Sequence, residues 1–172
     1  TAALIRLYKA HVLPHAERSI PAISHAPPNS FECLDNVQDI FLDELQVSRR
    51  DALFLFNLAP LSTRRDISML GLLHRTQLGV APQALSSFFP KAKSTLFQFS
   101  VNSVPAHDRQ IACYVTPSNL IAFKRSLFGL VRVYNKLPAG IVAAPGATIY
   151  QRFLQALLKQ RVEDEILDWH CL

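Results

Sequence analysis

The sequence predicts a mainly α fold with two small helical lobes, residues 1–89 and 121–172, joined by an irregular linker over 90–120. Three observations carry this. Apolar residues recur every three or four positions in most segments, which is the period of an amphipathic helix. Ser, Thr and Asn stand ahead of several of these segments with an acidic or amide residue three positions later, and Pro or Gly stands at their ends. From Pro90 to about Leu120 the periodicity fails, and roughly 30 residues is too long for a routine loop.

Taken in order, Leu4, Tyr8 and Val12 lie four apart with Ile5 beside them, which is helical spacing, and Pro14 kinks or stops the element. Ser19 to Ser30 holds Pro21, Pro27 and Pro28 and reads as a connection. Asn29 and Glu32 have capping-box spacing, and Phe31, Leu34, Val37 or Gln38, Phe41, Leu42 and Leu45 then mark one helical face. Ser48 and Asp51 repeat the cap before Ala52 to Phe56, which Asn57 ends.

Pro60 suits the first turn of a long helix to about Leu78, with Gly79 as its stop. Ile67, Leu70, Leu73 and Leu78 give its apolar side. Arg64, Ser68, Gly71 and Arg75 fall on another line, where the small residues leave room for a backbone to come close. Pro82 to Phe89 is a short helix closed by Pro90. Within the linker Phe97, Phe99 and Val101 alternate as a short strand does. Ser126 to Leu137 is a compact helix closed by Pro138, and Thr148 with Gln151 caps a last amphipathic helix through Tyr150, Phe153, Leu154, Leu157, Leu158 and Val162.

Composition narrows the function classes. The 172 residues are 49% apolar and 18% charged with a mean hydropathy of +0.15. Those values exclude a disordered or charge-rich tail. No apolar run approaches the roughly 18 residues of a membrane span. The chain opens at Thr1 without the sections of a secretory signal, so it is expected to be a piece of a longer reading frame. Cys33, Cys113 and Cys171 are odd in number and far apart, pointing to a reducing, intracellular compartment rather than a disulfide framework or thiolate zinc site. A net charge of +5 and a pI near 9.4 permit a polyanionic partner without demanding one.

Asp35, Asp39 and Asp43 at i, i+4 and i+8 would line up on a helix, where two of them are able to bridge a divalent cation; a solvated helix face explains them too. His11 and His15 have the spacing of paired zinc ligands, yet Pro14 intervenes and no third ligand is evident, so they read as structural or surface histidines. Cys33 and Cys113 read as buried apolar thiols. There is no G-x-S-x-G, phosphate loop, G-x-G-x-x-G or adjacent Asp-Asp pair, so no catalytic residue, metal site or cofactor is expected. Arg49, Arg50, Arg64, Arg65 and Arg75 fall in adjacent helices, and Lys124, Arg125, Arg132 and Lys136 cluster with Phe123, Phe128 and Tyr134. Positive groups on one face with aromatics beside them suit phosphate contact and base stacking, while arginines whose stems cover an apolar core give the same pattern.

The order of residues adds a resemblance. Leu4-Ile5-Arg6-Leu7-Tyr8-Lys9-Ala10-His11-Val12-Leu13-Pro14-His15-Ala16-Glu17 resembles the L-x-x-L-Y-K-S-x-V-x-P-x-x-E-Y segment that follows the palm in reverse transcriptases of non-LTR (LINE-type, jockey-like) retrotransposons. Leu34-Asp35-Asn36-Val37-Gln38-Asp39 resembles their L-E-x-V-Q-R helix, and Leu58-Ala59-Pro60-Leu61-Ser62-Thr63-Arg64-Arg65-Asp66 their L-P-x-L-x-x-R-R segment. Arg125-Ser126-Leu127-Phe128 through Tyr134-Asn135-Lys136-Leu137-Pro138 and Ile141, with the helix holding Phe153-Leu154, is similar to the closing R-x-S-F, W-N-x-L-P-x-x-I and F-K-x-x-L pattern. Tyr134 stands where the family has Trp, Ala16-Glu17-Arg18 disturbs the E-Y pair, and Asp39 replaces a basic residue.

The resemblance implies the thumb and downstream region of an RNA-directed DNA polymerase, nuclear if the parent element is active. The palm of the same polyprotein would be a partner and would carry the metal-binding aspartates, so this chain by itself is not an enzyme. The thumb would hold an RNA–DNA or DNA duplex by its backbone, weakly and without reading sequence, through Arg64, Arg65, Arg75, Lys124, Arg125 and Arg132. No membrane partner is expected. Tyr134, Asn135, Leu137 and Pro138 read as a helix stop packed on the core. The competing expectation is a helical scaffold or protein-interaction module that binds no nucleic acid.

Overall fold

The computed structural model describes residues 1–17, 28–93, 107–113, 123 and 126–164. The fold is mainly helical, and the chain divides into two compact units, Thr1–Asp66 and Ile67–Leu172. That division falls at a different place from the expected 90–120 linker.

In the first unit, α1 (Ala2–Leu7), a π-helical turn (Tyr8–Val12) and α2 (Leu13–Glu17) follow without a break. Pro14 therefore does not stop the element. Its ring lacks an N–H and crowds the carbonyl four residues back. The turn ahead of it widens, so that the Leu13 N–H bonds to the Tyr8 carbonyl five residues earlier. The extra residue shifts the phase of the helix. The buried side becomes Ile5, Tyr8 and Leu13, whereas Leu4 and Val12, expected on that side, are exposed.

Helix α3 (Pro28–Glu44) starts ahead of the expected Asn29 cap. Gln38, not Val37, takes the inward position between Phe31 and Leu42. Its Nε2 donates to the Ala59 carbonyl at 3.1 Å, so the amide enters the apolar side with its donor satisfied. Helix α4 (Arg49–Phe56) has the expected reciprocal cap. The Asp51 N–H donates to Ser48 Oγ at 3.0 Å, and Ser48 Oγ donates to Asp51 Oδ2 at 2.7 Å. Asn57 ends the helix in the left-handed conformation that Asn tolerates. Ile5, Tyr8, Leu13, Leu42, Ala52, Leu58 and Leu61 form the core of this unit, with Tyr8 stacked on Phe41 at 4.5 Å between ring centroids.

Helix α5 (Leu61–Gln77) follows Pro60 as expected. Gly79 closes it at φ 71°, in the left-handed region. The Gly79 N–H bonds to the Thr76 carbonyl and the Val80 N–H to the Arg75 carbonyl, which satisfies the helix end. The short α6 (Gln83–Ser86) comes next.

In the second unit, α7 (Leu127–Lys136) is capped by Ser126, whose Oγ accepts from the Gly129 N–H, and α8 (Ala139–Val142) follows Pro138. The last helix, α9 (Ala147–Glu163), is capped by Gly146 without a side-chain hydrogen bond. Thr148 lies inside the first turn, where its backbone is already helical, so the expected Thr148 cap is not used. The buried stripe of α9 is Tyr150, Leu154, Leu158 and Arg161; Phe153, expected there, is exposed.

The 90–120 segment is not wholly without structure. Lys91 and Ile111 form an isolated antiparallel bridge, the Ala92 N–H bonds to the Gln110 carbonyl at 2.7 Å and the Ala112 N–H to the Pro90 carbonyl at 2.9 Å. The expected strand at Phe97, Phe99 and Val101 lies outside the described residues.

Candidate nucleic-acid interface

The arginines singled out in the sequence have different environments. Arg65 is buried: its guanidinium makes two 2.7 Å hydrogen bonds to the Asp35 carboxylate and lies 4.6 Å from the centroid of the Phe31 ring. A planar fork suits this bidentate, stacked geometry. Arg64 is half-buried and its Nε donates to Glu17. Both therefore join helices of the first unit, with their charges met by carboxylates. Arg75 is exposed and Arg132 half-buried. Lys124 and Arg125 lie outside the described residues.

The line of small residues on α5 is closed at Gly71 within the second unit. Gly71 is buried, and a Cβ built there would stand 2.7 Å from Gln151 Nε2 and 3.3 Å from the Gln151 Cδ and Cγ atoms. What approaches the small position is therefore α9 of the same chain.

Two of the three aspartates of the ladder on α3 are spent on arginines, Asp35 holding Arg65 and Asp39 holding Arg49 through hydrogen bonds of 3.0 and 2.7 Å. Among the described residues no group of three His, Cys, Asp or Glu side chains is placed to hold a metal ion. His11 and His15 are exposed. Cys33 is exposed as well, against the expectation of a buried thiol, because its place on α3 turns it away from the Phe31 and Leu42 face; Cys113 is half-buried. Among the described residues no helix is long and apolar enough to cross a membrane.

The feature the sequence did not single out is a buried polar cluster in the second unit. His74 of α5 has no exposed surface and stacks on Tyr150 of α9, ring centroids 4.2 Å apart and planes 6° from parallel. Its Nε2 lies 3.0 Å from the Ala144 carbonyl. A carbonyl only accepts, so Nε2 carries the proton. Nδ1 then accepts from the Tyr134 hydroxyl at 3.2 Å. His107 is buried with its edge against Tyr134, and its Nε2 donates to the Tyr134 carbonyl at 2.9 Å.

Burial pushes both imidazoles below their ordinary range. For His74 the bond to the Ala144 carbonyl opposes this, while Arg109 and His107 add to it. For His107 the bond to the Tyr134 carbonyl and the Asp108 carboxylate oppose it, while Arg109 adds to it. Burial also raises the Tyr134 and Tyr150 phenols, so both stay neutral and able to donate at neutral pH.

Beside this cluster Asn135 holds the 107–113 segment. Its Nδ2 donates to the Ile111 carbonyl and its Oδ1 accepts from the Ile111 N–H, both at 2.8 Å. A neighbouring β-strand would offer the same pair of bonds. Gln110 Nε2 donates to the Asn135 carbonyl at 3.3 Å, and Arg109 to the Val142 carbonyl at 2.8 Å. Tyr134, Asn135 and Leu137 thus sit in the core as read from the sequence, and Asn135 also replaces a strand for Ile111. The signals available were a histidine four residues after Leu70 on an apolar face and an amide in an otherwise apolar helix.

Comparison of the chain with models of protein families, with curated proteins and with solved structures returns no match.

Proposed function

We propose that the chain is the thumb and downstream region of a non-LTR retrotransposon reverse transcriptase, holding a primer–template duplex by its backbone for a palm carried elsewhere in the polyprotein. The observation that carries this reading is the resemblance of four segments in the right order along the chain. The mainly helical fold agrees with it, and Arg75 stands exposed near the end of α5 with no carboxylate hydrogen-bonded to it among the described residues.

In this reading Arg75 and Arg132 are the phosphate contacts to test first. Arg64 and Arg65 act instead by fixing the helices, because their guanidinium groups already face Glu17 and Asp35. Binding should be independent of sequence and fall steeply between about 50 and about 200 mM salt; Arg75→Ala should weaken it for every duplex alike and lower the logarithmic salt slope by about 1. Fluorescence anisotropy with a labelled RNA–DNA hybrid measures both quantities. Binding that ignores salt, or none at low salt, rejects the reading.

A second reading, a helical protein-interaction module, is favoured by exposed apolar side chains in the first unit. Leu55 is 72% exposed and Ile40 60%. This reading expects no duplex binding in the same titration.

A further inference from the structure

The segment 107–113 is tied down by side chains more than by a sheet. Asn135 takes both backbone groups of Ile111, Gln110 reaches the Asn135 carbonyl, Arg109 the Val142 carbonyl and His107 the Tyr134 carbonyl, while the Pro90–Ala92 backbone supplies two further bonds. His107 within it and His74 of α5 are buried neutral histidines that share Tyr134: His107 bonds its carbonyl and His74 its hydroxyl.

We propose that residues 107–113 form an acid-released strap, docked on α7 while His107 and His74 are neutral and let go when they take up protons.

The geometry explains why a proton is not tolerated in the docked form. On His107 the proton would go to Nδ1, a buried atom with no hydrogen-bond partner among the described residues. On His74 it would also go to Nδ1, turning an acceptor into a donor, so the Tyr134 hydroxyl loses the acceptor of its O–H and has to turn its hydrogen away and accept instead. The groups facing His74 are Tyr134 from α7, Tyr150 from α9, and Arg109 and His107 from the strap; those facing His107 are Tyr134 from α7 and Asp108 and Arg109 beside it. Among the described residues that face either imidazole, Asp108 alone brings negative charge, and it is exposed. Arg109 and the two imidazoles would carry like charges.

Burial holds both imidazoles below their value in the released chain, about 6.5. The released form therefore binds more protons in the window below that value. Docking is fully favoured above about pH 6.5 and is lost as pH falls from there through the docked values. The opening constant should rise by up to about 10-fold per pH unit for one histidine and about 100-fold for two.

The test is NMR of the whole chain between pH 8 and 4, following the Ile111 amide, the Asn135 side-chain amide and the imidazole Cε1–H signals. The expected result is that His74 and His107 protonate below the ordinary histidine range, and that the Ile111 and Asn135 amide signals shift to a released form together with protonation of the two. His107→Gln, whose amide is able to keep the bond to the Tyr134 carbonyl, should limit the change to about 10-fold per pH unit. Should that variant not fold, the wild-type titration decides alone. The proposal is overturned if His74 and His107 protonate near 6.5 while the Ile111 signal stays docked, or if the strap opens with no dependence on pH.

Discussion

Truncating Asn135 to alanine should destabilise the second unit by about 3 kcal/mol. Asn135 and Ile111 have no exposed surface, and the side-chain amide makes two 2.8 Å hydrogen bonds to the Ile111 backbone. Alanine removes both and leaves a buried N–H and a buried C=O without partners, each worth about 1–3 kcal/mol of desolvation. Part of that is recovered if the strap shifts, so about 3 kcal/mol, near the lower half of the sum, is the working figure. Asn135→Asp is the sharper companion. A carboxylate is still able to accept from the Ile111 N–H, but it sets a second negative oxygen against the Ile111 carbonyl in a buried place, and it should cost at least as much. Urea denaturation followed by circular dichroism gives the free energy, and the Ile111 amide exchange rate reports the strap directly. A loss below about 1 kcal/mol for Asn135→Ala would mean that the amide is not holding Ile111, and the reasoning would fall.

Arg65→Lys keeps the charge but loses the paired bonds to Asp35 and the flat contact with Phe31. It should cost about 1 to about 2 kcal/mol, the scale of a charge-assisted bidentate pair. Wild-type stability by thermal melting would show that the fork is not needed. Gly71→Ala has two opposed effects, a gain of about 1 kcal/mol in helix propensity and a clash with Gln151. It should stabilise more in a Gln151→Ala background than in the wild type, and equal effects in the two backgrounds, measured by denaturation, would rule out the contact. Ser48→Ala removes the α4 cap. It should cost about 1 kcal/mol in the same assay, with an unchanged protein counting against the cap.

Local signals in the sequence carried far when they were chemical and short in range. Ser48 with Asp51, Asn57, Pro60, Gly79 and Ser126 mark helix ends that the structure uses, because a cap depends on groups three or four residues away. The helical class itself follows from periodicity alone. Where two residues competed for one face, the sequence left the matter open. Gln38 won over Val37 because the Ala59 carbonyl waits for its amide, 21 residues along the chain.

Phase errors had a similar origin. Leu4, Val12 and Phe153 fit an apolar stripe drawn on an ideal helix, but the π-turn ahead of Pro14 rotates the first stripe to Ile5, Tyr8 and Leu13. The roles of the charged and polar residues were the least visible. Arg64 and Arg65 read as phosphate contacts in the sequence and face Glu17 and Asp35 in the structure, 47 and 30 residues away. His74, His107 and Asn135 gain their meaning from Tyr134, Ala144 and Ile111, which lie 24 to 70 residues distant. The sequence by itself determined the helical class, most helix ends and the overall positive charge, since each rests on neighbouring residues or on composition. Which carboxylate meets which arginine, and which carbonyl a buried imidazole finds, were decided only by tertiary packing, because hydrogen bonds and ion pairs act over a few ångströms of space and carry no record of separation along the chain.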